Sequence, residues 1–245
     1  MSYLIIGASS GLGRELAYSF AKKGHDLIII SRDEKDLISI KSDLELKYEV
    51  NIKTIPLDFA NIEEIEKKLI QGAEITQNLK GILFPVGFMF EEDNVDLNTD
   101  NIKKLLNINY LSICYTISNF QKKFKKTKLL IVGFGSISGL LGRSLNSNYA
   151  AAKRALESFF ESLALSENNN ANIHFYILGY LNTNLAFGHN LKLPKGDVSK
   201  LSEIVYKNKD KKFVKAYYPY FWNLIALILK ITPLSVIVKL KKIIK

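Results

Sequence analysis

Tyr149-Ala150-Ala151-Ala152-Lys153 places a phenol and an amine four residues apart, so that both project from one face of a helix. Ser136 stands thirteen residues ahead of the tyrosine, in Gly135-Ser136-Ile137-Ser138-Gly139, shortly after the apolar run Leu129-Leu130-Ile131-Val132. A strand ending in a serine turn, followed by a helix carrying Tyr and Lys, can gather three polar groups at one end of a sheet. An ammonium beside a phenol favours the phenolate and so lowers a pKa that is about 10 in water. A phenol tuned toward neutral pH is a usable general acid or base. The same residues, taken alone, also describe an ordinary helix N-terminus with an exposed Tyr and Lys. The elements that hold them decide between the two.

Those elements repeat in a regular order. Tyr3-Leu4-Ile5-Ile6 reads as a buried strand and runs into Gly7-Ala8-Ser9-Ser10-Gly11-Leu12-Gly13, then into a helical pattern through Leu16, Ala17, Phe20 and Ala21. Gly24 ends that helix, and residues 26–30 form the next apolar run. A glycine turn between a first strand and a first helix is the context of a dinucleotide site. Glycines allow the tight turn, the close approach of a pyrophosphate and close helix–strand packing, and helix N–H groups face the anion. The second strand ends at Ser31-Arg32-Asp33. An acid at this place would bind a ribose 2′-hydroxyl and an arginine a 2′-phosphate. Arg32 comes first, which favours NADP(H) over NAD(H); Asp33 would reverse that preference, or would cap the helix starting at Glu34. Further helices are expected over 34–48, 62–70, 101–120 and 149–165, and further strands over 51–57, from 82, over 129–132 and over 173–178. Strand and helix alternate throughout, which implies an α/β fold with a Rossmann-type, doubly wound parallel sheet.

These residues together resemble the classical short-chain dehydrogenase/reductase family, over roughly the first three quarters of the chain. The glycine turn has the family's G-x-x-x-G-x-G spacing; Ser136, Tyr149 and Lys153 have its catalytic spacing; Asn109 falls in the helix that carries its fourth catalytic residue. The resemblance implies that Tyr149 passes a proton to a carbonyl oxygen as hydride arrives from a nicotinamide, and that Lys153 binds the nicotinamide ribose and holds the tyrosine's pKa down. It implies that Ser136 hydrogen-bonds the carbonyl oxygen and that Asn109 holds a water of the proton relay. It assigns cofactor contacts to Gly7, Ser9, Ser10, Gly11, Leu12, Gly13, Arg32, Asp58, Gly87 and Thr183, beside Tyr149 and Lys153, with Asp58 at the adenine. The chain departs from the family where Asn-Asn-Ala-Gly is replaced by Phe84-Pro85-Val86-Gly87 and where Pro-Gly is replaced by Leu178-Gly179. The long helices resemble those that pair in family homodimers.

The chain has 245 residues and a formal net charge of +10, enough length for one full core and a balance suited to anionic partners. The basic clusters lack a nucleic-acid recognition motif, so no nucleic-acid partner is expected. His25, His174 and His189 show no metal spacing, and no metal is expected. Cys114 is the only cysteine and sits on an apolar helix face. No room for a secretory signal precedes the first strand, which places the expected location in the cytoplasm. Residues 1–216 read as the dinucleotide-binding domain, with 180–212 as a substrate lid; Phe88, Tyr180, Leu185 and Phe187 either line an apolar pocket or are ordinary packing. Residues 217–245 read as an apolar and basic tail: an aromatic block, then two apolar runs separated by Lys230 and Pro233, then lysines. That pattern is too interrupted to span a bilayer and suits a helix lying in the inner membrane interface; packing on the domain or on a second subunit is the alternative. The expected activity is NADPH-dependent reduction of a ketone on a lipid or lipid-linked sugar. An NAD-dependent dehydrogenase of a soluble alcohol and a non-catalytic cofactor-binding scaffold are the competing readings.

Overall fold

The computed structural model describes residues 2–72, 78–124, 127–142, 144–167, 170–182 and 194–243. Seven strands are found among them: β1 (Ser2–Ile6), β2 (Asp26–Ser31), β3 (Ile52–Pro56), β4 (Leu79–Phe84), β5 (Leu130–Ser136), β6 (Asn172–Leu178) and β7 (Phe213–Tyr218). They pair in the order β3-β2-β1-β4-β5-β6-β7, and every pairing is parallel. A wholly parallel sheet must be covered on both faces, and this explains why β1 is an unbroken buried apolar run instead of an alternating one.

The covering layers are set by strand alternation. Tyr3 and Ile5 face one side, against Leu16 and Phe20 of α1 (Gly11–Ala21), Leu37 and Leu44 of α2 (Glu34–Tyr48), and residues of a later helix. Leu4 and Ile6 face the other, against Ile65 of α3 (Ile62–Ile65) and a second set of helices. The expected helix over 101–120 is α4 (Thr99–Leu106) and α5 (Ser112–Lys123), joined without a break by a π-helical turn at Asn107–Leu111. Such turns are frequent at functional sites. Ile113 and Ile117 of α5 and Leu156 and Phe160 of α6 (Ser147–Leu165) complete the second layer. The order of strands reverses between β1 and β4, and the crevice at the carboxyl ends of strands about such a point is where ligands bind in open α/β sheets.

Two features of the last quarter differ from expectation. Within the stretch expected as an irregular lid, α7 (Val198–Asn208) is a regular helix whose Leu201, Ser202 and Val205 are buried against the α1 layer. Its apolar positions are diluted by lysines on the outer face, which hid the period. The expected boundary at 216 falls inside β7, whose Tyr217 and Tyr218 pair with Ile177 and Leu178 of β6.

Beyond β7, α8 (Trp222–Ile231) buries Trp222 and Ala226 and leaves Leu224, Leu227, Ile228 and Ile231 exposed, a stripe at the i, i+3, i+4, i+7 spacing of one helix face. The next helix, α9 (Leu234–Ile243), also exposes apolar side chains, at Leu234, Val236 and Val238. Trp222 closes down on Gly179: a Cβ on that glycine would lie 2.0 Å from Trp222 Nε1. The glycine is therefore what lets α8 dock on the chain leaving β6. No helix among the described residues is long and apolar enough to cross a membrane.

Candidate active site

The carboxyl ends of β1, β2, β3 and β4 open onto a cleft of about 630 Å³ lined by Gly7, Ser9, Ser10, Gly11, Leu12, Arg32, Asp58 and Gly87 among others. Its shape follows from the glycine turn. Gly7 has φ +97°, and a Cβ there would lie 2.8 Å from Val86 Cα. A Cβ on Gly13 would lie 1.9 Å from the Gly7 carbonyl oxygen. Side chains at either place would push the turn off the sheet and the helix off the turn. The first-turn N–H groups of α1 point to this end, an anion-favouring place.

Arg32 is exposed on the cleft wall. Asp33 is the N-cap of α2: its Oδ1 accepts from the Asp36 N–H at 3.1 Å, and its own N–H donates to Ser31 Oγ at 3.1 Å. The carboxylate that could have favoured a 2′-hydroxyl thus already has a helix to cap, and Arg32 is the exposed cation on the wall beside it. Asp58 also lines the cleft and accepts from the Ala60 N–H at 3.0 Å.

A second pocket of about 130 Å³ adjoins the first, and Pro85, Val86, Gly87, Leu178 and Leu181 line both. Ser136, Tyr149 and Lys153 all line this second pocket, with Ser138, Met89 and Tyr180. Ser136 is the last residue of β5, Tyr149 and Lys153 lie one helical turn apart on α6, and the three converge as their spacing suggests. The Ser136 hydroxyl faces the Tyr149 phenol closely enough to act on its proton affinity. Lys153 Nζ donates to the Phe134 carbonyl at 3.1 Å and lies 5.7 Å from the centre of the Tyr149 ring. Gly87 stands at the junction, where a Cβ would lie 3.7 Å from Lys153 Nζ and 3.6 Å from Asn109 Oδ1. Any larger side chain there would grow into the passage between the two cavities.

The electrostatics run differently from the sequence-based expectation. Burial pushes the Tyr149 phenol up to about 12, against a lowering by the Ser136 hydrogen bond, and burial also brings the Lys153 amine down to about 8. Desolvation disfavours the charged form of each group. In the protein by itself burial outweighs the lowering by Ser136, so Tyr149 is held as the neutral phenol. Asn109 is fully buried in the π-helical turn; its Nδ2 donates to the Phe88 carbonyl at 2.7 Å and the Leu105 carbonyl at 2.9 Å, and its Oδ1 accepts from the Phe88 N–H at 3.2 Å. Both of its N–H groups are spent on backbone, so what the side chain holds is the segment after Gly87. Asn107 turns elsewhere and donates to the Ala60 carbonyl at 3.2 Å.

The model of the family "short chain dehydrogenase" matches residues 2–192. The chain belongs to the short-chain dehydrogenase family. That family comprises oxidoreductases acting on carbonyl and hydroxyl groups. Among curated relatives, the very-long-chain 3-oxoacyl-CoA reductase of Vanderwaltozyma polyspora is 32% identical over 179 residues, 68% of this chain and 51% of that one. The human very-long-chain 3-oxoacyl-CoA reductase is 33% identical over 169 residues, 65% of this chain and 52% of that one. The chain spans about half the length of the curated relatives it matches. Among solved structures, a short-chain dehydrogenase from Sphingobium yanoikuyae in complex with NADPH superposes with a TM-score of 0.80 at 22% identity, covering 89% of this chain and 87% of that one. The bulky-bulky ketone specific alcohol dehydrogenase from Comamonas testosteroni gives a TM-score of 0.80 at 22% identity over 94% of this chain and 92% of that one. At that identity the two structures speak for the fold.

Within this short-chain dehydrogenase, Thr183, Leu185 and Phe187 lie outside the described residues, as does His189. Tyr180 lines the second pocket as expected, whereas Phe88 lines the cofactor-sized cleft. His25 meets the Tyr206 hydroxyl at 3.1 Å and His174 the Lys211 carbonyl at 2.8 Å, and neither lines the two pockets. Among the described residues no group of acids, histidines and cysteine is placed to hold a metal. Cys114 is half-buried, and burial pushes its thiol up to about 12, which leaves it inert near neutral pH. One residue at the site escaped sequence reasoning altogether. Asp93 is a fully buried acid in the segment after β4, bonded to the start of α6. The signal in the sequence was indirect: α6 has no capping side chain of its own at Asn146.

Proposed function

We propose that this protein is an NADPH-dependent reductase of a ketone on a long-chain lipid, with the 3-oxo group of an acyl thioester as the leading candidate. The observation that carries the reading is the convergence of Ser136, Tyr149 and Lys153 at the junction of a dinucleotide-sized cleft and a smaller pocket. The cleft fits a dinucleotide: its floor is glycine backbone, its wall carries Arg32, and Gly87 keeps the passage open. Gly7, Ser9, Ser10, Gly11, Leu12 and Gly13 would hold the pyrophosphate, Arg32 a 2′-phosphate, Asp58 the adenine, and Lys153 the nicotinamide ribose. A reduced nicotinamide bound there supplies the hydride.

The chain's own residues supply the rest. Ser136 donates a hydrogen bond to the ketone oxygen and stabilises the charge that develops on it. Tyr149, held neutral by burial, gives its hydroxyl proton to the same oxygen. The phenolate so formed is stabilised by the Lys153 ammonium one turn away. A protonated phenol is the form that ketone reduction requires. The intact triad argues against a non-catalytic scaffold.

Arg32→Ala tests the cofactor preference. Losing a guanidinium–phosphate contact is expected to raise KM for NADPH roughly tenfold or more and to leave KM for NADH nearly unchanged. Equal effects on both cofactors, or none, would remove the preference for NADPH.

A lipid-borne substrate is favoured by the position of α8. It packs beside the 3₁₀ turn Ile137–Leu140 that follows Ser136, and Trp222 lies against Gly179 and near Tyr180 of the pocket wall. The helix that carries the exposed stripe of Leu224, Leu227, Ile228 and Ile231 is therefore a neighbour of the proposed substrate pocket. Lys230 and Lys239 flank the stripe, and an apolar face with basic neighbours suits an acidic membrane interface. The wild-type protein is expected to float with vesicles containing phosphatidylserine, and Leu227→Asp with Ile231→Asp to abolish flotation without loss of the fold. Flotation unaffected by the pair would point to another occupant of the stripe.

A further inference from the structure

The first turn of α6 lacks the usual means of satisfying its N–H groups. Asn146 precedes it at φ +60°, makes no side-chain cap, and no acid stands in the first turn. The N–H groups at a helix start need acceptors from elsewhere. They find them in one residue from a distant loop. Asp93 Oδ1 accepts from the Asn148 N–H at 3.1 Å and from Asn148 Nδ2 at 2.8 Å. Asp93 Oδ2 accepts from the N–H of Tyr149 itself at 2.8 Å. The Asp93 carbonyl accepts from the Asn146 N–H at 2.5 Å. The residue is 0% exposed, so the carboxylate has little help from water and relies on these donors.

The same loop is fixed at several other points. Asn109 grips the backbone of Phe88, and Met89, Phe90 and Leu97 pack on the cluster of Leu105, Tyr149 and Ala152. Asn148 Nδ2 also reaches the Asn94 carbonyl at 3.1 Å. The segment from Gly87 to Asp93 therefore runs from the junction of the two cavities to the amide of Tyr149.

We propose that Asp93 is the positioning residue for Tyr149, clamping the start of α6 to the loop after β4 so that the phenol meets Ser136. This rests on the reductase reading of the site. A carboxylate suits the task because it offers two acceptor oxygens and no donor, and because a helix start favours negative charge. An amide in its place would turn an NH₂ group toward an N–H donor and leave buried donors unsatisfied. A small displacement of a reacting group is enough to cost a large factor in rate.

Asp93→Asn is the test, with two readouts. Hydrogen exchange over residues 146–152 is expected to speed up by about tenfold or more relative to β1 and β5, whatever the protein's substrate. With a 3-oxoacyl thioester, kcat is expected to fall about 10–100-fold while the dissociation constant for NADPH stays within about twofold. Under single-turnover conditions, adding Asp93→Asn to Tyr149→Phe is expected to cause little further loss, because both act through one hydroxyl. Unchanged exchange at the start of α6, or wild-type kcat in Asp93→Asn where Tyr149→Phe is inactive, would overturn the proposal. Wild-type turnover in Tyr149→Phe would instead defeat the reductase reading. Should Asp93→Asn fail to fold, Asn148→Ala removes one partner of the clamp; it is expected to speed the same exchange by a smaller factor, and unchanged exchange there would equally overturn the proposal.

Discussion

Tyr149→Phe is expected to lower kcat for ketone reduction by about 10²–10⁴-fold, the range that a positioned general acid contributes. The variant removes one oxygen and little else. The ring keeps its packing against Leu105, Ala152, Met89 and Phe90, and the lost hydroxyl faces the pocket beside Ser136. Folding and NADPH affinity are therefore expected to stay close to wild type. Steady-state kinetics with a 3-oxoacyl thioester, beside a fluorescence titration with NADPH, separates the two quantities. A variant that binds NADPH normally and turns over at the wild-type rate would mean that the proton comes from another group.

Lys153→Met is expected to move activity and stability in opposite directions. The amine is 4% exposed, and burial brings it down to about 8 from an ordinary 10.5. Between those values the unfolded chain binds more protons than the folded one, so the wild type gains stability as pH rises from about 8 toward 10.5 and bears the full burial cost below about 8. Methionine of similar length carries no such cost. The gain at pH 7 is expected to be roughly 1–3 kcal/mol, less than the full shift implies because the Phe134 carbonyl loses its donor. The advantage should shrink as pH rises past about 8. Turnover, in contrast, is expected to fall by at least about 10²-fold, since the phenolate left by proton transfer loses its counter-charge. Melting temperatures at neutral and alkaline pH, set beside kcat, check both halves. A methionine variant less stable than wild type at neutral pH, or an advantage that does not vary with pH, would contradict the account. Active sites commonly hold such destabilising groups because the chemistry needs them.

The parts of the fold legible in sequence were those with strong periodicity and punctuation. The run Tyr3 to Ile6, the glycine turn after it and the apolar runs of β5 and β6 fixed the sheet because a buried parallel strand has no polar alternation to confuse. Ser136, Tyr149 and Lys153 were legible because their spacing is local to one strand end and one helix. What was hidden was the work done across the sequence. Asp93 contacts residues 53–56 positions away, and nothing in its own neighbourhood of Glu91 and Glu92 marks it as buried. The π-helical turn at Asn107–Leu111 leaves no compositional trace, yet it faces Asn109 inward to the Phe88 backbone. The direction of the Tyr149 shift was also beyond sequence, because the neighbour was visible and the burial was not. α7 was missed for a plainer reason: Lys200 and Lys207 interrupt a helix whose apolar side is only Leu201, Val205 and their neighbours.

The central claim is that Ser136, Tyr149 and Lys153 reduce a carbonyl beside a bound nicotinamide. It is tested most directly with NADPH carrying deuterium on its reactive ring carbon, a long-chain 3-oxoacyl thioester, and mass spectrometry of the product. The account predicts one deuterium on the carbon that bears the new hydroxyl, delivered to a single stereochemical face, and formed about 10²–10⁴-fold more slowly with Tyr149→Phe. Product lacking the label, or no oxidation of NADPH with any ketone while the protein binds it, would contradict it.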